Sequence, residues 1–395
     1  MSIALTEQHQ ELARVARAFL ESSRAREESR ALLEAPEDRL PSFWKEMAEL
    51  GWMGLHVDEV YGGQGFGLPE LSVILEALGF AMAPGSFLPT TLTAELIAQQ
   101  GSDVVREAFL PGLADGSLVG AAGLDGELLY GADDRLHGSA GLVLGGEVAQ
   151  LFAVCVGDDA ALLTSNQQGL SVESQKNVDP SRRIAVIRCD GVEVSASHRL
   201  LGARGVLERL ARTFCAAEAA GGARACTEMA TAYAKERVQF GRPIGTFGPV
   251  KHHCANMLVA TEQATAGAWD ASREDLSSDE AGLAAAVASS LALPAFVFCA
   301  KQNIQVHGGI GYTWEHDAHL YLRRAVALES LLGPVGRTRE DVVRLMARGV
   351  RTKATIALPP EAEDFREGAR TIARQVEADI AREVGNWYSG SVHVA

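Results

Sequence analysis

Two segments of this 395-residue chain carry side chains suited to holding a phosphorylated, planar ligand. The first reads Tyr233-Ala234-Lys235-Glu236-Arg237-Val238-Gln239-Phe240-Gly241-Arg242-Pro243-Ile244-Gly245 and closes an Ala-rich helical pattern. The guanidinium of Arg237 can give two parallel hydrogen bonds to a phosphate or pyrophosphate. Phe240 can pack on a flat ring or a neighbouring helix, and Gly241 lets the chain turn with no side chain in the way. By itself, Lys-Glu-Arg on a helix is usually a solvated face. The second segment is Gln305-Val306-His307-Gly308-Gly309-Ile310-Gly311-Tyr312-Thr313-Trp314-Glu315. Its glycines allow a close backbone approach to a ligand, although Gly-Gly-x-Gly alone reads equally well as a turn between helices.

Together the two segments resemble the flavin-side signatures of the acyl-CoA dehydrogenase family. The continuation Phe240-Gly241-Arg242-Pro243-Ile244-Gly245-Thr246-Phe247 makes the first match specific. In that family the Arg contacts the FAD pyrophosphate of the neighbouring subunit, and the glycine turn approaches the ADP part of the flavin. The resemblance therefore implies FAD held across a subunit interface, with Arg237, Phe240, Gly241, Phe247, Gln305, Gly308, Gly309 and Gly311 on the cofactor side. It covers roughly residues 1–350 and is strongest over 216–324. Residues 314–325, Trp-Glu-His-Asp-Ala-His-Leu-Tyr-Leu-Arg-Arg-Ala, are closest to actinobacterial enzymes that shorten steroid side chains as CoA esters. Those enzymes often work as paired unlike subunits or as two halves fused in one chain.

The departures from the family pattern matter as much as the matches. The family base is a Glu followed by Gly, a short way past an Arg-Asp or Arg-Arg pair. It takes the α-proton of the acyl-CoA thioester while a hydride leaves the β-carbon for flavin N5. Counted from Arg323-Arg324, that position is Leu332, just before Gly333. Leucine cannot accept a proton, and a general base is typically worth about 10²- to 10⁴-fold. Some relatives place the Glu on the first bundle helix, where this chain has Ala211 beside Arg212. Glu208 and Glu329 lie near these positions, each displaced by about one helical turn. No catalytic residue is assigned.

The family's Thr/Ser-Glu-Pro-x-x-Gly-Ser-Asp loop and Trp-x-Thr/Ser strand hold the isoalloxazine ring. Here residues 120–131 read Gly-Ala-Ala-Gly-Leu-Asp-Gly-Glu-Leu-Leu-Tyr-Gly, and 139–145 read Ser-Ala-Gly-Leu-Val-Leu-Gly. Gly248 stands where the family usually has Gln after Phe247. The parts that reach into a partner's flavin site are kept, and those that build the chain's own site are replaced. This implies a half that completes the site of another, catalytic acyl-CoA dehydrogenase subunit in a homo- or hetero-oligomer. An acyl-CoA substrate in that complex and an electron-transfer flavoprotein as acceptor follow from the family. Two other readings stay open: an autonomous dehydrogenase with a relocated carboxylate base, and a dimerisation scaffold without flavin.

These segments need elements to position them. Residues 5–115 read as helices, with Leu12, Val15, Ala16, Phe19 and Leu20 on one face and further helices over 43–50, 71–83 and 103–114. A glycine-rich loop covers 61–65. Short apolar runs at 141–145, 151–156, 160–164 and 184–189, between Gly, Asp and Asn clusters, predict a small β barrel or sandwich. Long helices over 205–236, 249–274 and 279–307 predict a packed bundle. The expected class is α+β: an N-terminal helical domain (1–116), a middle β domain (117–203), a C-terminal helical bundle (204–352) and an extension (353–395). In the extension Phe365, Ala369, Ile372, Val376 and Ile380 line one face of a new helix that resembles the opening helix of a second such unit. Residues 385–395 read as unstructured.

Composition narrows the alternatives. A net charge of −15 disfavours a nucleic-acid surface. Six scattered cysteines without a Cys-x-x-Cys pair disfavour a disulfide framework or a zinc site and fit a reducing cytoplasm. The first ten residues lack a signal pattern, and no run is expected to reach membrane-spanning length.

Overall fold

The computed structural model describes residues 6–352 and 361–389 and divides the chain into two compact units, Met1–Thr352 and Lys353–Ala395. Six helices open the first unit: α1 (Glu7–Ser22), α2 (Ala25–Leu32), α3 (Trp44–Glu49), α4 (Leu68–Ala81), α5 (Phe87–Gln100) and α6 (Asp103–Ala114). The start of α1 is fixed by a reciprocal cap. Thr6 Oγ1 accepts from the His9 amide at 3.2 Å, and the His9 Nδ1 in turn accepts from the Thr6 amide at 3.2 Å. The helix α5 is buried on almost every side from Phe87 to Ile97, so it has no amphipathic period for sequence reasoning to detect.

The middle region holds β1 (Gly120–Gly123), β2 (Asp125–Tyr130), β3 (Leu136–Leu144), β4 (Leu151–Val156), β5 (Asp159–Thr164), β6 (Leu170–Gln175), β7 (Ile184–Val192) and β8 (Arg199–Leu200). They form two four-stranded sheets, ordered β1-β4-β5-β8 and β2-β3-β7-β6. The sheets do not close into a barrel. All strand pairs are antiparallel except β1 with β4. The register of β3 on β7 slips between Ala140 and Val143, placing an extra residue on β3. Leu142 sits in that bulge at φ +52°.

The bundle follows: α7 (Arg204–Glu236), a two-stranded hairpin of β9 (Val238–Gln239) and β10 (Arg242–Pro243), then α8 (Gly248–Arg273), α9 (Asp279–His307), α10 (Ala318–Leu331) and α11 (Val335–Ala347). Small residues bring α7 onto α4. A Cβ on Gly221 would lie 1.9 Å from Glu76 O, and one on Gly79 would lie 2.1 Å from Glu218 O. The expectation that no run reaches spanning length is corrected by α9, whose mean hydropathy is 2.1 over an 18-residue window. That window is 67% buried within the unit, which is how the apolar core helix of a bundle behaves.

A buried ion cluster ties the middle region to the bundle. Arg324 on α10, with 0% side-chain exposure, bonds Asp179 in the loop before β7, Glu218 on α7 at 2.9 Å, Ser181 and Ala83 O. Arg182 grips the same Glu218 at 2.8 Å through both terminal nitrogens.

In the second unit, α12 (Glu361–Ser389) presents Phe365, Ile372, Val376 and Ile380 as exposed apolar residues. The expected helix is present, but it runs past 385, correcting the reading of 385–389 as unstructured. Residues 353–360 and 390–395 lie outside the described residues.

Candidate functional site

The first ligand-type segment begins where α7 stops. Arg237 leaves the helix at φ −68° and ψ 120°, and its carbonyl accepts from the Ile244 amide at 2.8 Å. This closes the β9–β10 hairpin, in which Gln239 faces Arg242 and Val238 faces Pro243. The two residues of the turn, Phe240 and Gly241, have φ +52° and +76°. Both lie in the left-handed region, as a type I′ turn demands. Gly241 adopts it freely, whereas an aromatic residue there is strained. The outcome is a finger with a 93% exposed phenyl ring at its tip.

Phe247 steadies the finger from the side. Its ring meets Phe240 edge-on with centroids 6.1 Å apart, and the Arg242 guanidinium lies 4.2 Å over it. The Arg237 side chain is exposed and makes no hydrogen bond or ion pair among the described residues. A guanidinium left open beside an exposed aromatic is available to an anion outside this chain. Gly248 opens α8, and a Cβ there would meet nothing within 4 Å.

The second segment lies against the first. His307, at the end of α9, stacks on Tyr233 of α7 with centroids 4.4 Å apart and planes at 26°. Its Nδ1 donates to Asn303 O at 2.8 Å. His316 packs on His307 at 4.2 Å, and Trp314 meets His319 edge-on at 4.7 Å. Burial lowers the pKa of all three imidazoles, and neighbouring positive groups depress His316 and His319 further. These residues lie within the two motifs or just beyond them, and the motifs give them no role of their own. The stack is what joins the two motifs.

Beyond His307 the chain turns at Gly308, φ +63°, where added side chains at 308 or 309 would meet only open space. Gln305 is exposed, as are Ile310, Tyr312 and Trp314, while Gly311 is buried against Ile304 and His307. Gly311 is therefore a packing glycine. Gly308 and Gly309 are the ones whose backbone a ligand could reach.

Leu332 follows the last residue of α10 and is half-buried. It lines a cavity of about 340 Å³ with Glu208, Arg204, Arg212 and Asp341. Ala211 is fully buried. Glu208 reaches that cavity, but its carboxylate is paired with Arg204 at 2.9 Å. Arg212 is paired with Asp341 at 2.6 Å. An ion-paired carboxylate is a poorer proton acceptor than one in an apolar pocket. Glu329 lines neither this cavity nor the adjoining one of about 270 Å³ that shares Leu142, Ser330 and Leu331 with it.

The residues therefore fit FAD unevenly. Arg237, Gln305 and the 308–309 backbone suit the pyrophosphate and ADP end. On β3, the segment expected to stand for the family's ring-holding strand, Leu142 and Leu144 offer neither an aromatic platform nor a hydroxyl donor.

Residues 6–117 match the family model described as acyl-CoA dehydrogenase, N-terminal domain, and residues 205–347 the one described as acyl-CoA dehydrogenase, C-terminal domain. The chain belongs to the acyl-CoA dehydrogenase family. It is 38% identical over 316 residues to acyl-CoA dehydrogenase FadE34 of Mycobacterium tuberculosis, an alignment covering 79% of this chain and 43% of that one. The chain thus spans less than half the length of that relative. It is 31% identical over 344 residues to acyl-CoA dehydrogenase IpdE2 of Mycolicibacterium smegmatis, covering 87% of this chain and 99% of that one.

Among solved structures, a variant of the Tcur3481-Tcur3483 steroid ACAD superposes with a TM-score of 0.79 at 27% identity, over 87% of this chain and 98% of that one. The ChsE4-ChsE5 complex from Mycobacterium tuberculosis gives a TM-score of 0.79 at 24% identity, over 90% of this chain and 100% of that one. At that identity it supports the fold alone.

Proposed function

We propose that this chain is a subunit or half of a FAD-dependent acyl-CoA dehydrogenase that does not itself carry the catalytic base. It completes the pyrophosphate end of a flavin site whose ring pocket and base belong to a partner of the same fold. FAD supplies the hydride acceptor when bound. What this chain adds is the Arg237 guanidinium, the Phe240 tip and the open 308–309 backbone. The observation carrying the proposal is Arg237, without a side-chain partner among the described residues, beside a strained, exposed Phe240, in a chain with Leu332 at the expected base position. A pairing of unlike halves is supported by the two-name Tcur3481-Tcur3483 steroid ACAD among the structural neighbours. A CoA ester of a steroid side chain is the proposed substrate class, supported by the likeness of residues 314–325 and by the steroid ACAD among the structural neighbours.

The test is flavin content. Purified alone, the chain is expected to be colourless and inactive on acyl-CoA esters. Co-expressed with a catalytic acyl-CoA dehydrogenase half, it yields a yellow complex from which Arg237→Ala loses FAD at least tenfold more readily, the loss of one charge-assisted bidentate contact being worth about 1.5–3 kcal/mol. Stoichiometric FAD and turnover by the isolated chain, abolished by Glu208→Gln, would instead establish the autonomous reading. Unchanged FAD retention in Arg237→Ala would remove the proposed contact.

A further inference from the structure

The proposed function needs Arg237 and the 308–309 backbone to face one pyrophosphate together. Among the described residues, no hydrogen bond or ion pair joins 237–247 to 305–313. The path between them runs through two rings. The Arg237 amide donates to Tyr233 O at 2.8 Å, so the start of the finger is tied to Tyr233. The Tyr233 ring stacks on His307 with centroids 4.4 Å apart. His307 in turn is the wall against which the glycine turn closes, since a Cβ on Gly311 would lie 2.8 Å from His307 Cβ.

The His307 ring is fixed from two more sides. Its Nδ1 proton is directed at Asn303 O, 2.8 Å away, which selects one tautomer and one ring orientation. His316 packs against it at 4.2 Å. His316 is itself held, because its Nδ1 accepts from the Ala318 amide at 3.1 Å and its neighbour Asp317 is gripped by Arg30. An aliphatic side chain at 307 could fill the same space, but it would not present a flat face to Tyr233 in one fixed plane.

We infer that His307 is a positioning residue for the pyrophosphate end of the flavin site, acting through Tyr233 to hold Arg237 at a set distance from the 308–309 backbone. Its work is done on the two segments and not on the cofactor itself. An aromatic pair of this kind is worth about three- to tenfold in an equilibrium, enough to change how long a cofactor stays bound. The inference rests on the proposed function, and its test has one arm that needs neither FAD nor a partner.

Hydrogen exchange of the isolated chain tests the coupling. The amides of Gly308, Tyr312 and Thr313 are bonded within the turn at 3.0, 3.2 and 3.1 Å. Tyr233→Ala, far away in sequence, is expected to speed their exchange about three- to tenfold, and Tyr233→Phe, which keeps the ring, should leave it unchanged. Release of FAD from the co-expressed complex, followed by its fluorescence, tests the purpose. His307→Ala should release FAD about three- to tenfold faster. His307→Phe should recover most of that difference, and the Tyr233→Ala, His307→Ala pair should be no faster than either change alone. Circular dichroism checks each fold, and Tyr233→Ala carries both measurements if His307→Ala does not fold. Unchanged exchange in Tyr233→Ala would overturn the inference. So would His307→Phe releasing FAD as fast as His307→Ala, or His307→Ala retaining FAD where Arg237→Ala loses it. If Arg237→Ala itself retains FAD, the proposed contact fails instead, and the exchange result alone decides whether the stack couples the two segments.

Discussion

Removing one member of the buried cluster around Arg324 should destabilise the first unit more than any single surface change. Arg324 has no exposed side-chain area and Asp179 only 2%. Two guanidiniums and two carboxylates sit there, so the cluster is neutral while intact. Asp179→Asn leaves Arg324 with Glu218 alone, and Arg182 already holds both oxygens of that carboxylate. Breaking a buried pair by deleting one partner costs about 3–5 kcal/mol, because the remaining charge stays desolvated. For a unit of this size that corresponds to a fall in Tm of roughly 5–10 °C at neutral pH, taking the lower end of the usual scaling.

The assay is scanning calorimetry on the unmodified chain, Asp179→Asn, Arg324→Met and the double variant. The double variant should be well short of additive, since the second substitution removes the charge that the first one stranded. Acid should mimic the single change. Burial alone would raise the Asp179 pKa, but Arg324 and Arg182 outweigh it and hold the carboxyl below its ordinary value. A depressed folded-state pKa contributes stability above the unfolded value, about 4, and loses it as pH falls through the folded value. The loss therefore lies below pH ~4 and should be absent from Asp179→Asn. Single-variant shifts under ~2 °C, or strict additivity in the double variant, would refute the reasoning.

Two further outcomes follow from the same geometry. Leu332→Glu should not create dehydrogenase activity in the isolated chain, because the leucines at 142 and 144 leave the ring unheld; turnover appearing in an acyl-CoA assay would overturn the partner reading. Burial pushes the Glu95 carboxyl up to about 7 and the His56 ring, 3.8 Å away, down to about 4. The raised carboxyl contributes stability fully present below about pH 4.3 and lost as pH rises through the folded value, up to about 3 kcal/mol. Glu95→Gln should therefore flatten the decline in the urea midpoint between pH 5 and 8, and an unchanged decline would show that Glu95 is not its source.

The order helical, β, helical was legible because each region carries its own period: Leu12, Ala16, Phe19 and Leu20 on a helix face, short apolar runs in the middle, and Ala-rich stretches in the bundle. What escaped was what periodicity cannot encode. The helix α5 is buried all round, so its sequence carries no face. The separation of the strands into two sheets depends on pairings such as Gly120 with Leu151 that bridge distant residues. At the site, Arg237 and Gln305 could be read from their motifs, but the Tyr233–His307 stack that joins them is tertiary. The cluster joins Arg324 to Asp179 and Glu218, each more than a hundred positions away, and all three look like ordinary surface charges in sequence.

Of the five non-glycine residues with positive φ, Leu142 and Phe240 are the two exposed large apolar side chains. A type I′ turn is best served by Asn-Gly or Gly-Gly. Phe240 in the first position costs of order 1–3 kcal/mol of backbone strain. Its ring recovers little inside the chain, because it is 93% exposed; its edge-on partner is Phe247, with centroids 6.1 Å apart. Leu142 repeats the pattern at the bulge of β3. Burial elsewhere offsets such costs, and the unit has a continuous core from Ala16 to Leu328 to do so. What burial cannot explain is the exposure of these two strained side chains, Phe240 beside Arg237 and Leu142 at the β3 bulge. For Phe240 the proposed function supplies a reason: a flavin edge presented by a partner of the same fold.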